Sequence, residues 1–284
     1  MKKLKKILPV ILIVMTSIPV IAQQPVVVNI WPDGAPNSTG LTGEEQILEN
    51  GRISNITVPT LTVYPAKNGN GTTVISCPGG AYIRLAMQHE GHDMAAWFNA
   101  QGITYAVLKY RMPNGHIEAP LSDAWQAIKI MRQHASEWGV NPDKVGIMGF
   151  SAGGHLASAV ATLFPSELDR PDFQILFYPI IMMNKFSAAN LVGKDPSDEM
   201  IKRYSTDLQV TANTPKAFIV CAADDRTVPC ENSIRYFQAL VANKVSATLH
   251  IYPTGGHGWG YMDTFIYKRQ WTEELEKWLR EINK

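Results

Sequence analysis

Short apolar runs alternate with longer amphipathic stretches along most of the chain. An apolar run of about four to eight residues is typical of a buried strand, and apolar residues three and four positions apart are typical of a helix face. These patterns predict strands over residues 53–64, 72–77, 104–110, 144–150, 173–179, 216–222 and 248–252. They predict helices over residues 89–100, 122–138, 155–163, 231–243 and 267–282. Strands that alternate with helices in this way predict an α/β protein.

The run over residues 145–150 is apolar at nearly every position, which indicates a strand buried on both faces. Parallel strands covered by helices have this character, so we expect a doubly wound, mostly parallel sheet flanked by helices. Residues 23–51 show no sustained period and predict an extended arm. The polar segment 180–214 carries a short helical pattern over 196–204 and is expected to pack over the top of the sheet. We see no internal repeat, and we expect one domain over residues 23–284.

The first 22 residues have the pattern of a secretory signal peptide. Four lysines between positions 2 and 6 precede an apolar stretch over 7–20, and Val20-Ile21-Ala22 fits a signal peptidase site. The apolar stretch is shorter than the about 20 residues that a membrane span needs, and Pro9 and Pro19 disfavour the alternative of an uncleaved anchor. We therefore expect a protein exported to the periplasm or secreted, with no stable membrane association after cleavage.

Composition fits an ordinary globular protein. The chain has 284 residues, 45% hydrophobic and 18% charged, which argues against disorder, a coiled coil or a multi-span membrane protein. A net charge of +1, which becomes −3 when the four lysines are removed, leaves no broad basic surface for nucleic acid. The three cysteines, at positions 77, 221 and 230, are too few for a disulfide scaffold and lack zinc-site spacing, and pairing of Cys221 with Cys230 stays open.

The sequence Gly149-Phe150-Ser151-Ala152-Gly153 lies where a buried strand is expected to end and a helix to begin. A sharp turn at the serine leaves little space around the neighbouring residues, which favours glycine on both sides of it. The same turn holds the serine hydroxyl above the edge of the sheet. The dipole of the following helix favours negative charge at that place. The alternative is a glycine-rich helix start capped by serine.

A serine hydroxyl needs a base and a group that orients the base. Asp224 and Asp225 follow one predicted strand, and His257 follows the next within Gly255-Gly256-His257-Gly258. Successive parallel strands deliver their loops to one edge, and the order Ser, Asp, His is a known order for this triad. Asp225 is preferred because its pattern Asp-x-x-Val-Pro resembles the acid loop of enzymes with this triad, and Asp224 is the alternative, as a turn-forming carboxylate. His155, just after the serine, is expected to play a packing or supporting role.

When the serine attacks an ester, negative charge develops on the carbonyl oxygen of the substrate. Backbone N–H groups that are already held in position must stabilise this charge. One candidate is the N–H of Ala152, directly after the serine. The other is the N–H of Gly80 or Ala81, in the small-residue loop that follows the predicted strand 72–77. A tight structural turn is the alternative reading of that loop.

These motifs together resemble the alpha/beta-hydrolase superfamily, specifically small exported esterases of the BD-FAE, acetylxylan esterase and hormone-sensitive-lipase-like groups. The resemblance covers nearly all of residues 23–284 and is carried by the segments 77–82, 110–111, 149–157, 223–229 and 256–258, with the arm at 31–36. Pro78 and Ala81 depart from the lipase-like His-Gly-Gly-Gly pattern. The Pro-Gly-Gly-Ala sequence of this chain is more similar to the carbohydrate-esterase branch.

The resemblance implies an alpha/beta-hydrolase fold and a serine carboxylesterase that removes acetyl groups from plant polysaccharide or oligosaccharide. Ser151 would attack the ester, His257 would act as base and Asp225 would orient it, with no metal or cofactor. An acetylated carbohydrate is thus the expected partner. Tyr82, Trp259 and Tyr261 lie near the catalytic loops, where aromatic faces could stack on sugar rings, but simple packing is the favoured role for each of them.

Several alternatives remain at this point. A feruloyl esterase, a short-chain lipid esterase or an arylformamidase-like amidase would keep the triad and change the substrate. A sugar-binding relative with a vestigial triad would not be an enzyme. A metallohydrolase is suggested by His89-Glu90-Gly91-His92, but that spacing is one residue short of His-Glu-x-x-His. The acyl group, the sugar and the oligomeric state stay open.

Overall fold

A computed structural model describes residues 24–283 of the chain, so the predicted signal peptide over residues 1–22 lies outside the described residues. The strands in this range are β1 (Val26–Asn29), β2 (Gln46–Ile47), β3 (Arg52–Ser54), β4 (Thr60–Tyr64), β5 (Gly71–Cys77), β6 (Arg84–Ala86), β7 (Thr104–Lys109), β8 (Val140–Phe150), β9 (Phe173–Phe177), β10 (Lys216–Ala222) and β11 (Ala247–Tyr252). The α-helices are α1 (Ala95–Ala100), α2 (Glu118–Gln133), α3 (Ala152–Thr162), α4 (Lys185–Val192), α5 (Asp198–Tyr204), α6 (Glu231–Ala242) and α7 (Lys268–Ile282).

Within the described residues, the main sheet has eight strands in the order β1-β4-β7-β5-β8-β9-β10-β11. β1 and β4 run antiparallel to their neighbours, and the pairs from β7 to β11 are parallel. A small antiparallel sheet of β2, β3 and β6 lies apart from it. The expected doubly wound, mostly parallel α/β fold is confirmed. Since the parallel strands point the same way, the loops after β5, β8, β10 and β11 leave from one edge.

The core is formed where helices cover the sheet. Residues 145–150 of β8 are all buried, as the apolar run predicted. Helices α2 and α3 pack against each other and against β8, while Trp97 of α1 meets Trp271 of α7 with ring centroids 6.3 Å apart. Cys77, Cys221 and Cys230 are free thiols. Among residues 24–283, none of the helices has the length and apolar character to cross a membrane.

Several predicted boundaries were wrong, each for a local reason. The strand predicted over 53–64 breaks after β3, because Asn55 takes a positive φ of 53° and Pro59 precedes β4. The helix predicted over 89–100 is shortened by Gly91, whose φ and ψ of −147° and −98° are not helical. The helix predicted over 122–138 starts earlier, at Glu118, because Ser122 bonds back to a carbonyl inside the first turns instead of capping them.

The extended arm is fastened to the sheet by a buried ion pair. Arg111, directly beyond β7, contacts Asp123 of α2 through Nε and Nη2, with a shortest distance of 2.7 Å. Arg111 Nη1 also donates to the carbonyls of Pro36 and Asn37, both at 2.8 Å. The indole N–H of Trp31 donates to Asp123 at 2.8 Å. One buried carboxylate therefore holds a helix, a strand end and the arm together.

We expect Asp123→Ala to lower the free energy of unfolding by about 3–5 kcal/mol, because Arg111 is left buried without its counter-charge. Urea denaturation of residues 23–284 measures this. The matched control is Glu231→Ala, which breaks the exposed Glu231–Arg235 pair of α6 and should cost less than about 1 kcal/mol. Equal losses in the two variants would contradict the role given to Asp123.

Candidate active site

Ser151 occupies a strained turn between β8 and α3. Its φ and ψ are 52° and −117°, a conformation that side-chain-bearing residues rarely adopt. A Cβ on Gly149 would clash with the Gly153 carbonyl, and a Cβ on Gly153 would clash with the carbonyl of Cys77 at the end of β5. Both glycines are therefore required for the turn to close. The turn lifts the Ser151 hydroxyl above the sheet edge at the start of α3.

The hydroxyl of Ser151 lies in a continuous line of hydrogen bonds. Ser151 Oγ is 2.8 Å from His257 Nε2, and His257 Nδ1 is 2.6 Å from Asp225 Oδ2. Asp225 Oδ1 accepts the N–H groups of Thr227 and Val228, both at 2.9 Å. Because the carboxylate accepts, Nδ1 of His257 carries the proton, and Nε2 is left to accept the proton of Ser151. The imidazole is thus oriented as a base toward the serine.

Asp224, the alternative acid, has a different neighbour. It accepts the N–H of Gly256 at 2.8 Å, and this bond lowers the pKa of the Asp224 carboxyl. Its contact is with the backbone of the loop that carries His257, whereas Asp225 contacts the imidazole itself. The two aspartates therefore have different roles. Asp225 orients the imidazole ring of His257, and Asp224 holds the loop that carries His257.

The loop after β5 lies beside Ser151. A Cβ on Gly79 would come within 3.1 Å of the Cβ of Ser151. Gly80 has φ of +143° and Ala81 has φ of +59°. In the described part of the chain, the N–H groups of Gly80, Ala81 and Ala152 donate to no protein acceptor. Three backbone donors are thus available near the serine, and the choice between Gly80 and Ala81 stays open.

His155 and Tyr82 form a buried support under this loop. Tyr82 has 3% of its surface exposed, and its hydroxyl is 2.7 Å from His155 Nδ1. His155 Nε2 is 2.8 Å from the carbonyl oxygen of Tyr204. A carbonyl only accepts, so Nε2 carries the proton and Nδ1 accepts from Tyr82. Burial of this neutral ring lowers the pKa of His155 to about 4.

Trp259 and Tyr261 take the packing role that the sequence analysis gave as the alternative to stacking on sugar rings. Trp259 is 3% exposed and stacks on Phe265 with centroids 3.9 Å apart. The ring of Tyr261 is covered by the ammonium of Lys268, 3.5 Å from the ring centroid. Trp259 therefore has no exposed face for a sugar ring, and a cation–π contact covers one face of Tyr261. Tyr82 does line the cavity above Ser151, but its exposed surface is too small for a stacking platform.

Glu90 is a component of the site that the sequence analysis noticed only as part of a metal-like pattern. Its buried carboxyl accepts the Gly79 N–H at 2.8 Å and the Tyr178 hydroxyl at 2.9 Å. Tyr178 in turn accepts the N–H of Gly260 at 2.8 Å, and its ring lies 4.8 Å from that of His257. Glu90 therefore connects the loop after β5 with the loop that carries His257.

Burial raises the pKa of Glu90, and the electrostatic effect of His89 and the two hydrogen bonds oppose that rise. The contacts of the segment His89-Glu90-Gly91-His92 do not fit a metal site. Glu90 is occupied as described, and His92 Nδ1 is 2.9 Å from the hydroxyl of Tyr64. No group of three or more His, Cys, Asp or Glu side chains that could hold a metal ion occurs within residues 24–283.

A cavity of about 190 Å³ opens above Ser151. Residues Ile180, Met182, Phe186 and Asn190 form one wall, so the segment expected to pack over the sheet does cover it and supplies part of the site. Much of this wall is α4, a helix that the sequence analysis did not predict. Residues 227–229 of the loop after Asp225 and Asn232 of α6 also line the cavity.

This chain belongs to the alpha/beta hydrolase fold family, whose pattern it matches over residues 75–260. It is 42% identical over 231 residues to the acetylxylan esterase of Xylanibacter ruminicola, covering 78% of this chain and 48% of that protein. It is 34% identical over 199 residues to endo-1,4-beta-xylanase B of Butyrivibrio fibrisolvens, covering 64% of this chain and 31% of that protein. The chain therefore spans about half or less of the length of these curated relatives.

A solved structure also resembles this chain over nearly its whole length. The acetyl ester-xyloside bifunctional hydrolase from Caldicellulosiruptor lactoaceticus is 32% identical, with a TM-score of 0.78, covering 92% of this chain and 98% of that chain. A carbohydrate esterase from gut microbiota, in a truncated form, is 22% identical with a TM-score of 0.72 and supports the fold alone. The expected alpha/beta-hydrolase fold is confirmed.

We expect stability to fall by about 3 kcal/mol from His155 alone as the pH drops from 6.5 to 4. The unfolded chain takes up the imidazole proton near pH 6.5, whereas the folded chain takes it up only near pH 4. The stabilising contribution is therefore present above the unfolded pKa and lost as the pH falls toward the folded pKa. Urea denaturation at several pH values should give a flatter pH dependence for His155→Gln. His116→Gln, an exposed control, should keep the wild-type dependence, and an unchanged slope in His155→Gln would refute the assignment.

We expect Glu90→Gln to slow the reaction of Ser151 with a fluorophosphonate by at least about tenfold, equivalent to 1.4 kcal/mol of barrier. The glutamine amide turns one acceptor into a donor, so either Gly79 or Tyr178 loses its partner. The control is Glu281→Gln, an exposed change on α7. Circular dichroism would establish that both variants are folded. Equal labelling rates in the two folded variants would limit Glu90 to a structural role.

Proposed function

We propose that this protein is an exported serine carboxylesterase that removes acetyl groups from plant polysaccharide or oligosaccharide. The observation that carries the proposal is the line from Ser151 Oγ to His257 Nε2 at 2.8 Å and from His257 Nδ1 to Asp225 Oδ2 at 2.6 Å. This arrangement can activate a hydroxyl as an acyl acceptor at neutral pH. Family membership and the acetylxylan esterase relative support the esterase reading.

The first half of the proposed reaction transfers the acetyl group to the enzyme. Ser151 Oγ attacks the ester carbonyl carbon while its proton moves to His257 Nε2. The negative oxygen of the tetrahedral intermediate is stabilised by the N–H of Ala152 and that of Gly80 or Ala81. The carbon–oxygen bond to the sugar then breaks, and the sugar oxygen takes the proton from His257. The products of this half are the free sugar hydroxyl and acetyl-Ser151.

The second half hydrolyses acetyl-Ser151. A water molecule attacks the same carbonyl carbon and gives its proton to His257 Nε2. The bond to Ser151 Oγ breaks, the serine recovers that proton, and acetic acid leaves and loses its remaining proton to water to give acetate. Throughout both halves Asp225 holds the imidazole and stabilises its charged form, and no step needs a metal ion or an organic cofactor.

The size of the cavity favours a small acyl group. At about 190 Å³, it is below the roughly 300–1,000 Å³ of pockets that enclose drug-sized ligands. An acetyl group is accommodated more readily than the aromatic acyl group of a feruloyl ester. The names of two similar proteins, an acetylxylan esterase and an acetyl ester-xyloside hydrolase, support the same choice. We extend this acetyl preference to the present chain as part of the proposal.

Export to the periplasm or outside the cell forms part of the proposal. Its support is the run of lysines followed by an apolar stretch and Val20-Ile21-Ala22 at the start of the sequence. A polymeric substrate in the medium is accessible only to an exported enzyme. Fractionation of cells that express the full chain tests this, because processing should shorten it by the first 22 residues.

We expect acetate release from acetylated xylan to exceed product release from feruloylated xylan and from p-nitrophenyl butyrate, compared as kcat/KM. Ser151→Ala should lower acetate release by at least about 10⁴-fold because the nucleophile is lost. The control Ser246→Ala changes an exposed serine and should leave the rate unchanged.

Equal or greater activity on butyrate would count against the carbohydrate assignment. Absence of both acetate release and fluorophosphonate labelling in the wild-type protein would favour a non-catalytic sugar-binding protein.

A further inference from the structure

A second and larger hollow adjoins the cavity above Ser151. Its volume is about 690 Å³, compared with about 190 Å³ for the cavity that contains the serine. Tyr82 and Asn190 line both, so the two are neighbours across these side chains. We call the larger hollow the arm groove, because residues 41–55, which continue from the extended arm, form one of its walls.

Amide side chains give the arm groove a polar lining with fixed orientation. Asn114 Nδ2 donates to the Thr39 carbonyl at 2.9 Å, and Asn190 Nδ2 donates to the Ala81 carbonyl at 3.0 Å. Within the described residues, the Oδ1 atoms of these two asparagines receive no hydrogen bond, so each is an available acceptor. Hydroxyl groups, which donate and accept, suit such a lining.

The same groove offers apolar surface and little charge. Ile83 is 49% exposed and lies on its lining, and Gln46 on β2 adds another exposed amide. Lys194 is the one ionisable group with a full charge at neutral pH among its described lining residues. A ligand with alternating hydroxyl groups and C–H faces, such as a sugar ring, matches this combination.

The chemistry of the reaction requires a separate place for the alcohol part of the ester. The acyl group stays on Ser151 while the alcohol leaves, so the two parts occupy different sides of the serine. The cavity of about 190 Å³ suits the small acyl part. The arm groove has the volume of a site for a much larger ligand, since such sites measure roughly 300–1,000 Å³.

Another hollow, of about 240 Å³, lies beside His257. It is lined by Met262, Phe265 and Ile266 and shares no lining residue with the cavity that contains Ser151. A ligand in that hollow would not be continuous with one at the serine. The arm groove is therefore the better site for the leaving group.

We infer that the arm groove binds the sugar residues that neighbour the acetylated one, so that the enzyme selects acetyl groups on an oligosaccharide chain over those on a single sugar. This inference rests on the proposed acetyl esterase function. The arm supplies one wall, the loop after β5 supplies the connection to Ser151, and the end of α4 supplies the wall opposite the arm.

The test compares kcat/KM for acetylated xylose, acetylated xylobiose to xylotetraose, and p-nitrophenyl acetate. For the wild type, we expect kcat/KM to rise by at least about tenfold from the monosaccharide to the tetrasaccharide, mainly through KM. The double variant Gln46→Ala/Lys194→Ala should lose most of this rise. Its rate on p-nitrophenyl acetate should stay at the wild-type value, because that small ester does not reach the arm groove.

Two controls make the result specific. Gln238→Ala/Lys277→Ala removes the same side-chain types from exposed positions on α6 and α7 and should keep the rise. Ile266→Ala alters the hollow beside His257 and should also keep the rise in kcat/KM with chain length. Equal kcat/KM for all chain lengths in the wild type, a rise retained by Gln46→Ala/Lys194→Ala, or a rise lost in Ile266→Ala would overturn the inference.

The two proposals fail in different ways. Acetate release that depends on Ser151 but not on chain length would leave the esterase function intact and refute the role of the arm groove. Absence of acetate release from every sugar ester would refute the esterase function itself and, with it, the arm groove inference.

Discussion

The close contact between the β8–α3 turn and the end of β5 is the constraint on which the site depends. Gly153 lies so near the Cys77 carbonyl that no side chain fits between them. This contact brings the serine turn and the Gly79–Gly80 loop side by side, so that the nucleophile and the backbone donors belong to adjacent parallel strands. The backbone strain at Ser151 is sustained by the buried strands β5 and β9, which flank β8.

Around this contact, polar bonds between loops hold the site together in addition to the triad itself. Glu90 ties the donor loop to Tyr178, and Tyr178 ties the histidine loop through Gly260. Asp224 holds the same histidine loop from its other end. A buried polar group is costly unless its hydrogen bonds are satisfied, so Glu90 is a strong constraint on where both loops sit.

The parts of the molecule that follow local rules could be predicted from the sequence. The apolar run of β8, the strand 216–222 and the turn around Ser151 each combine a clear period with glycine chemistry. Asp225 and His257 could be placed because parallel strands deliver their loops to one edge. The long separation of both residues from Ser151 in the sequence did not prevent this prediction.

The features that depend on tertiary contacts could not be read in this way. α4 has weak amphipathic character, and β1 is a short edge strand with exposed residues, so neither has a periodic signal. Trp259 and Tyr261 are close to His257 in sequence, but which face of an aromatic ring is covered depends on partners such as Phe265 and Lys268. The role of Glu90 could not be predicted, because it depends on how the two loops that Glu90 joins are arranged in space.

The fastening of the arm by Arg111 has an evolutionary consequence. The polypeptide that walls the arm groove is anchored at the sheet edge, apart from the residues that carry out bond cleavage. Insertions or substitutions between positions 38 and 55 can therefore reshape what the enzyme recognises while the reactive centre is inherited unchanged. Diversification of substrate range within such a lineage would be expected to accumulate in this stretch first.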